Sequence, residues 1–238
     1  MKSGYITSDD VKIFYRVIGT GTPILMLHGN GEDHQIFKEH VKYLSKEYQV
    51  ILMDSRGHGN SQFGNKRLNI ELMAQDVHSL INELGLKKVI LFGFSDGGNI
   101  ALQFAVRYHN RFLAVIAVSP NVQPEGLKSS FMFLIKALNI GYKILLALHI
   151  PVHKRHQINE LMILYPRISK AELSTIDVPV LILTGEKDVV RAEHLLELEE
   201  VIAGATVKVI KGANHLTMFQ KTDKYIKLIL RYLKKNGL

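Results

Sequence analysis

The chain has no cysteine. Neither a disulfide framework nor a thiolate metal site can therefore form, and redox chemistry leaves no mark of compartment. The N-terminus, MKSGYITSDDVKIFY, lacks the apolar run of a signal peptide, so a cytoplasmic protein is expected. Internal repeats, low-complexity tracts and Pro/Gly/Ser-rich linkers are also missing, so nothing marks a second, independent domain. Acidic residues are the scarcer charge: 22 Asp and Glu against 30 Lys and Arg, a net charge of +8. Such an excess permits attraction to nucleic acid, anionic lipid or acidic ligands. The basic residues are scattered rather than clustered with aromatics and no nucleic-acid motif occurs, so no nucleic-acid partner is expected.

What is present suits one large α/β domain: 238 residues, 47% of them hydrophobic, are ample for a core. Short apolar runs alternate with helix-length amphipathic stretches. Strands are predicted at 11–18, 23–27, 49–53, 88–92, 113–118, 178–183 and 206–210, and helices at 36–46, 70–84, 97–108, 192–203 and 223–235. This rhythm implies a mostly parallel sheet covered by helices on both faces. It breaks after Pro120 for about fifty residues, which divides the chain into a core of residues 1–120 and 176–238 and an inserted cap of 121–175.

Within the insertion, residues 129–150 (SSFMFLIKALNIGYKILLALHI) are apolar enough to raise the question of a membrane span. Lys136 and Lys143 lie in its middle, and each costs about 2.5–3.5 kcal/mol at a bilayer centre, which argues for a lid helix instead. Lys136, Asn139 and Lys143 fall on one helical stripe, and the apolar remainder could roof a pocket, pack on a second copy in a homodimer, or lie on a membrane surface. His149, His153 and His156 are spaced as a metal-binding face, but Pro151 interrupts them and no metal site is expected.

Gly93-Phe94-Ser95-Asp96-Gly97 fits G-x-S-x-G, between an apolar run and a helical pattern. In that context the serine sits on a sharp turn with its hydroxyl clear of the backbone, and Gly93 and Gly97 permit the bend. A serine hydroxyl needs a base, and the base needs a group to orient it. His215 in KGANHLTMF and Asp188 in TGEKDVV each follow a predicted strand, giving the chain order Ser, Asp, His. Glu186 is the competing acid; the shorter Asp188, leading straight into the next helix, is preferred. Negative charge on a tetrahedral intermediate requires N–H donors, assigned to Asp96 and to Asn30 in the His28-Gly29-Asn30-Gly31 loop. The Asp96 carboxylate should point away from the pocket, favoured there by the helix N-terminus. In DSRGHGNS, Asp54 and Arg56 are expected to brace the loop through a charged hydrogen bond, with His58 structural.

With these residues assembled, the sequence resembles the α/β-hydrolase fold superfamily, specifically its compact bacterial members with a helical cap between the sixth and seventh strands. HGNG at 28–31, DSRGHGNS at 54–61, GFSDGG at 93–98, TGEKD at 184–188 and GANH at 212–215 carry the likeness over nearly the whole chain, most weakly in the cap. The resemblance implies an eight-stranded, mostly parallel sheet and a hydrolase with Ser95 as nucleophile, Asp188 as acid and His215 as base. It does not fix the substrate. Ser95 disfavours dehalogenases and epoxide hydrolases, which use an aspartate there. The leading expectation is cleavage of a small or medium-chain carboxylic ester without a cofactor. Lactone, amide or carbon–carbon bond hydrolysis by the same triad, or a non-catalytic ligand-binding role, are the alternatives. Seven basic residues in 121–170 against Glu125 and Glu160 would suit an anionic substrate or, through the lid helix, peripheral membrane contact.

Overall fold

The computed structural model describes residues 2–238. Its eight strands are β1 (Lys2–Ser8), β2 (Val11–Ile18), β3 (Thr22–Leu27), β4 (Tyr48–Met53), β5 (Val89–Phe94), β6 (Phe112–Val118), β7 (Val180–Lys187) and β8 (Ala205–Asn214). They form one sheet in the order β1-β2-β4-β3-β5-β6-β7-β8. The β1-β2 and β2-β4 pairs are antiparallel and every other pair is parallel. The helices are α1 (Lys38–Leu44), α2 (Ile70–Glu83), α3 (Asp96–Arg107), α4 (Ser129–Ala147), α5 (His153–Leu164), α6 (Lys170–Leu173), α7 (Ala192–Val201), α8 (Thr217–Gln220) and α9 (Thr222–Lys235).

The twelve strands and helices read from periodicity are all present. The strand that periodicity missed is β1, an edge strand whose outer residues are polar. It joins β2 through Asp9 and Asp10, both at positive φ (50° and 63°), with Ser8 opposite Val11. That two-residue turn matches the twist of the flanking strands, and Asp tolerates the conformation better than most residues.

Successive residues of the central strands feed opposite cores. Val89 and Leu91 of β5 pack under α2 and α3, whereas Ile90, Phe92 and Phe94 pack against the α1 and α9 side. Such strands, buried on both faces, read as unbroken apolar runs. Because the strands from β3 to β8 are parallel, the loops after β3, β5, β6, β7 and β8 gather at one edge of the sheet, where ligands bind in open α/β sheets. The helices α4, α5 and α6 are inserted between β6 and β7.

Candidate active site

The turn after β5 is built for close approach. A Cβ on Gly93 would strike the Gly97 carbonyl, and one on Gly97 would strike the Leu27 carbonyl of β3. Ser95 itself sits at φ 53° and ψ −118°, a conformation that non-glycine residues hold only under constraint. Its N–H is anchored to the Val118 carbonyl of β6 at 2.8 Å.

Asp188 and His215 meet beside it. The Nδ1–H of His215 donates to Asp188 Oδ1 at 2.7 Å. Oδ1 also accepts from Val190 N–H at 3.2 Å, while Oδ2 accepts from the Ser119 hydroxyl at 2.6 Å and Gly185 N–H at 3.4 Å. Burial opposes ionisation of Asp188, but the bond and charge of His215, with the Ser119 and Val190 donors, outweigh it and bring the pKa down to about 2. The carboxylate can then only accept, so the proton of this bond sits on Nδ1 of His215. Glu186 takes no part: β7 and β8 shift register between Gly185 and Lys187, and Glu186 Oε2 accepts from Gly212 N–H at 2.8 Å.

Ser95 and His215 line one cavity of about 240 Å³. Its other polar walls are Asn30, Glu32, Asp96 and Asn121, and its apolar walls include Phe94, Leu127, Phe131 and Met162. No direct hydrogen bond joins Ser95 to His215 among the described residues; such contacts commonly tighten only with substrate bound. Neither Asn30 nor Asp96 donates its backbone N–H to any acceptor among the described residues. Gly29 brings the loop up to the elbow, since a Cβ there would lie 3.2 Å from Ser95 Cβ and 2.7 Å from Glu32 Oε2.

His28 beneath that loop is buried and neutral. Ser55 N–H donates to its Nε2 at 3.0 Å, its Nδ1–H donates to Gly29 O at 2.8 Å, and burial with the neighbouring His58 lowers its pKa to about 4.

Two expectations are corrected. Arg56 does not pair with Asp54. Its Nε and Nη2 donate to Asp76 of α2 at 2.6 and 2.5 Å, all of it buried. Asp54 instead accepts from the N–H and Nδ1–H of His34 (2.7 and 2.8 Å) and the N–H and Nδ2 of Asn60 (2.8 and 3.1 Å). Asp33, His34 and Asp54 do bring candidate ligand atoms within 4.8 Å of one another, but those hydrogen bonds already occupy Asp54. The second correction concerns Asp96. Expected to turn away from the pocket, it is one of the cavity's lining residues and is buried there, with Oδ2 accepting from Asn30 Nδ2 at 2.9 Å and Oδ1 from Asn99 Nδ2 at 3.3 Å. Burial raises its pKa, against the pull of those two bonds. The carboxylate thus holds the Asn30 loop in place.

His149, His153 and His156 do not share a face. His149 lies in the α4–α5 turn at φ 60°, His153 is exposed, and His156 Nε2–H donates to Asn139 Oδ1 at 3.0 Å. Sequence reading missed Ser119 and Glu32. The first has a signal only in hindsight, a serine closing a strand in the same layer as Ser95. Glu32 accepts from Gly29 N–H at 3.0 Å, and burial raises its pKa. No Lys or Arg lines the cavity among the described residues; most of the basic residues of the insertion face solvent.

The chain belongs to the alpha/beta hydrolase fold family, whose description matches residues 22–143, just over half of the chain. It is 26% identical over 259 aligned positions to an AB hydrolase superfamily protein of Bacillus subtilis, covering 95% of this chain and 97% of that one. Among solved structures, an esterase from Exiguobacterium antarcticum is 25% identical with a TM-score of 0.82, over 97% of this chain and 98% of that one. The enol-lactonase from Burkholderia xenovorans shares the fold at 22% identity and a TM-score of 0.80, over 97% of this chain and 100% of that one.

Proposed function

We propose that this protein is a serine hydrolase that cleaves a small or medium-chain carboxylic ester through an acyl-enzyme intermediate. The observation that carries the reading is that His215, which shares one cavity with Ser95, is bonded at 2.7 Å to the carboxylate of Asp188. Ser95 Oγ attacks the ester carbonyl and passes its proton to His215 Nε2, and the imidazolium is stabilised by Asp188. The oxyanion is held by the Asn30 and Asp96 N–H groups. As the intermediate collapses, His215 returns the proton to the leaving alcohol and the acyl group stays on Ser95. Water then gives a proton to His215 and attacks the acyl carbon, and as this second intermediate collapses His215 returns the proton to Ser95 Oγ, releasing the acid and regenerating the serine.

Residues 121–175 act as the cap in this reading, since Leu127, Phe131 and Met162 form the apolar wall of the cavity. A volume of about 240 Å³ is at or below the small end of ligand pockets, which run to about 300–1,000 Å³, and favours short acyl groups. No Lys or Arg among the described residues stands on the wall to pair with an anionic acyl chain, which favours a neutral one.

The test is a chain-length panel of chromogenic esters, with lactones and anilides alongside, run on the wild type and on Ser95→Ala. A fluorophosphonate should label the wild type once, at Ser95, and short neutral esters should turn over fastest. Turnover that survives in Ser95→Ala, or a folded wild type that neither labels nor hydrolyses any ester, rejects the reading.

A further inference from the structure

The helix α4 presents an apolar face to solvent that no other described part of the protein covers. Phe133, Ala137, Ile140 and Ile144 recur at spacings of 4, 3 and 4 and form the centre of its outward stripe. Phe133 is 71% exposed, Leu134 63% and Ile140 60%. The inward side is held by buried Ile135 and by Asn139, which accepts from His156 of α5. The stripe continues past the helix end to exposed Leu148 and Ile150 in the α4–α5 turn.

Charge identifies what this face fits. Lys136 and Lys143, both exposed and seven residues apart, border the stripe along one edge. No Asp or Glu occurs between Glu125 and Glu160. The groove beside the helix repeats the pattern: Met132, Phe133, Ile163 and Leu164 form an apolar floor, Lys136 and Arg167 stand on its walls, and Glu125 is its one carboxylate. An antiparallel two-fold pairing of two copies through α4 would bring the same lysines together with no acid on the helix to neutralise them. An anionic lipid surface accepts the apolar side chains and pairs with the lysine edge.

By length and composition α4 could also cross a bilayer, but the fold returns it to the core. The next helix, α5, packs back on α4, its Ile158 carbonyl accepts from Asn30 Nδ2 at 2.9 Å, and its Glu160 pairs with Arg67 at 3.0 Å. A helix tied at that depth lies along an interface rather than through it.

We propose that the outward face of α4, with its Lys136 and Lys143 edge, is a docking surface for an anionic phospholipid membrane. The α4–α5 tip enters the headgroup region with Leu148 and Ile150, and the groove at Phe133 opens toward the lipid. This holds whichever bond the active site cleaves.

Flotation of the full-length protein with vesicles tests it. The vesicles are pure phosphatidylcholine, or phosphatidylcholine with about a third phosphatidylglycerol, each at low and high salt. Binding is expected to the anionic vesicles and to weaken with salt. Lys136→Gln with Lys143→Gln should reduce partitioning about thirtyfold, near fivefold for each lysine. Phe133→Ser with Ile140→Ser should reduce it at least tenfold. Both pairs are exposed and outside the active site, and an unchanged melting temperature and ester turnover will confirm that they fold. The proposal is overturned if the wild type fails to float with anionic vesicles at low salt, or if both folded variants bind as the wild type does. It is equally overturned if the Phe133 and Ile140 changes only disperse a dimer of a protein that binds no vesicles.

Discussion

At the scale of single residues, the state of Asp188 is a contest that hydrogen bonds win. Burial alone would favour the neutral acid, and a neutral Asp188 could not stabilise an imidazolium on His215. Ser119 supplies the shortest bond to that carboxylate, 2.6 Å to Oδ2, without touching the cavity. Ser119→Ala should therefore act through Asp188. The expected result is a loss of about tenfold in kcat with KM little changed, since a hydrogen bond to a charged group contributes about 1.5–3 kcal/mol and only part of it is lost in the transition state. Steady-state kinetics on a short ester will show it, and Ser119→Thr, which keeps the hydroxyl, should recover most of the rate. Asp96 illustrates the limit of local reasoning. A helix N-terminus does favour an acid, but the partner that fixes this one, Asn30, lies on the loop after β3.

At the scale of elements, the pair of Arg56 and Asp76 ties the loop after β4 to α2 with both charges buried. Breaking such a pair from one side leaves an uncompensated charge in the interior, at a cost of about 3–5 kcal/mol. Arg56→Met should lower stability by that amount in urea titration. Arg56→Met combined with Asp76→Leu should be less damaging than Arg56→Met alone, because no orphaned charge remains. Equal loss in the single and double variants would mean that packing of the arginine stem, rather than charge, holds the loop.

At the scale of the whole molecule, two buried histidines make folding sensitive to acid. His28 and His40 both have pKa values lowered to about 4, in each case chiefly by burial. His40 lies at the α1–sheet interface among the rings of Phe37, Phe92 and Phe219. An unfolded histidine titrates near 6.5, so between about pH 6.5 and 4 the unfolded chain binds the extra proton. Stability then falls as the pH falls, by up to about 1.4 kcal/mol per pH unit for each group, and levels off below about 4. His40→Phe removes one of these groups and puts an apolar ring among apolar rings. Between pH 7.5 and 5.0 the wild type should lose about 2 kcal/mol more than the variant in denaturant titrations. Parallel losses in the two proteins would place the acid sensitivity elsewhere.

The sequence by itself determined seven of the eight strands, five of the helices that flank them, the mostly parallel sheet and the chain order of Ser95, Asp188 and His215. All of these follow from period-two and period-3.6 patterning and from turn chemistry, which act over a few neighbouring residues. Gly93 and Gly97 were legible for the same reason, because the steric demand of the turn is local. Only the tertiary structure decided that Arg56 pairs with Asp76, that Ser119 braces Asp188, that Glu32 enters the cavity and that Glu186 turns toward Gly212. Each of these joins side chains on different elements, and their meeting depends on how helices and loops pack at the end of the sheet. The outward face of α4 belongs with them, because the stripe of Lys136, Asn139 and Lys143 does not say which side is buried: Asn139 turns inward to His156 while both lysines stay exposed.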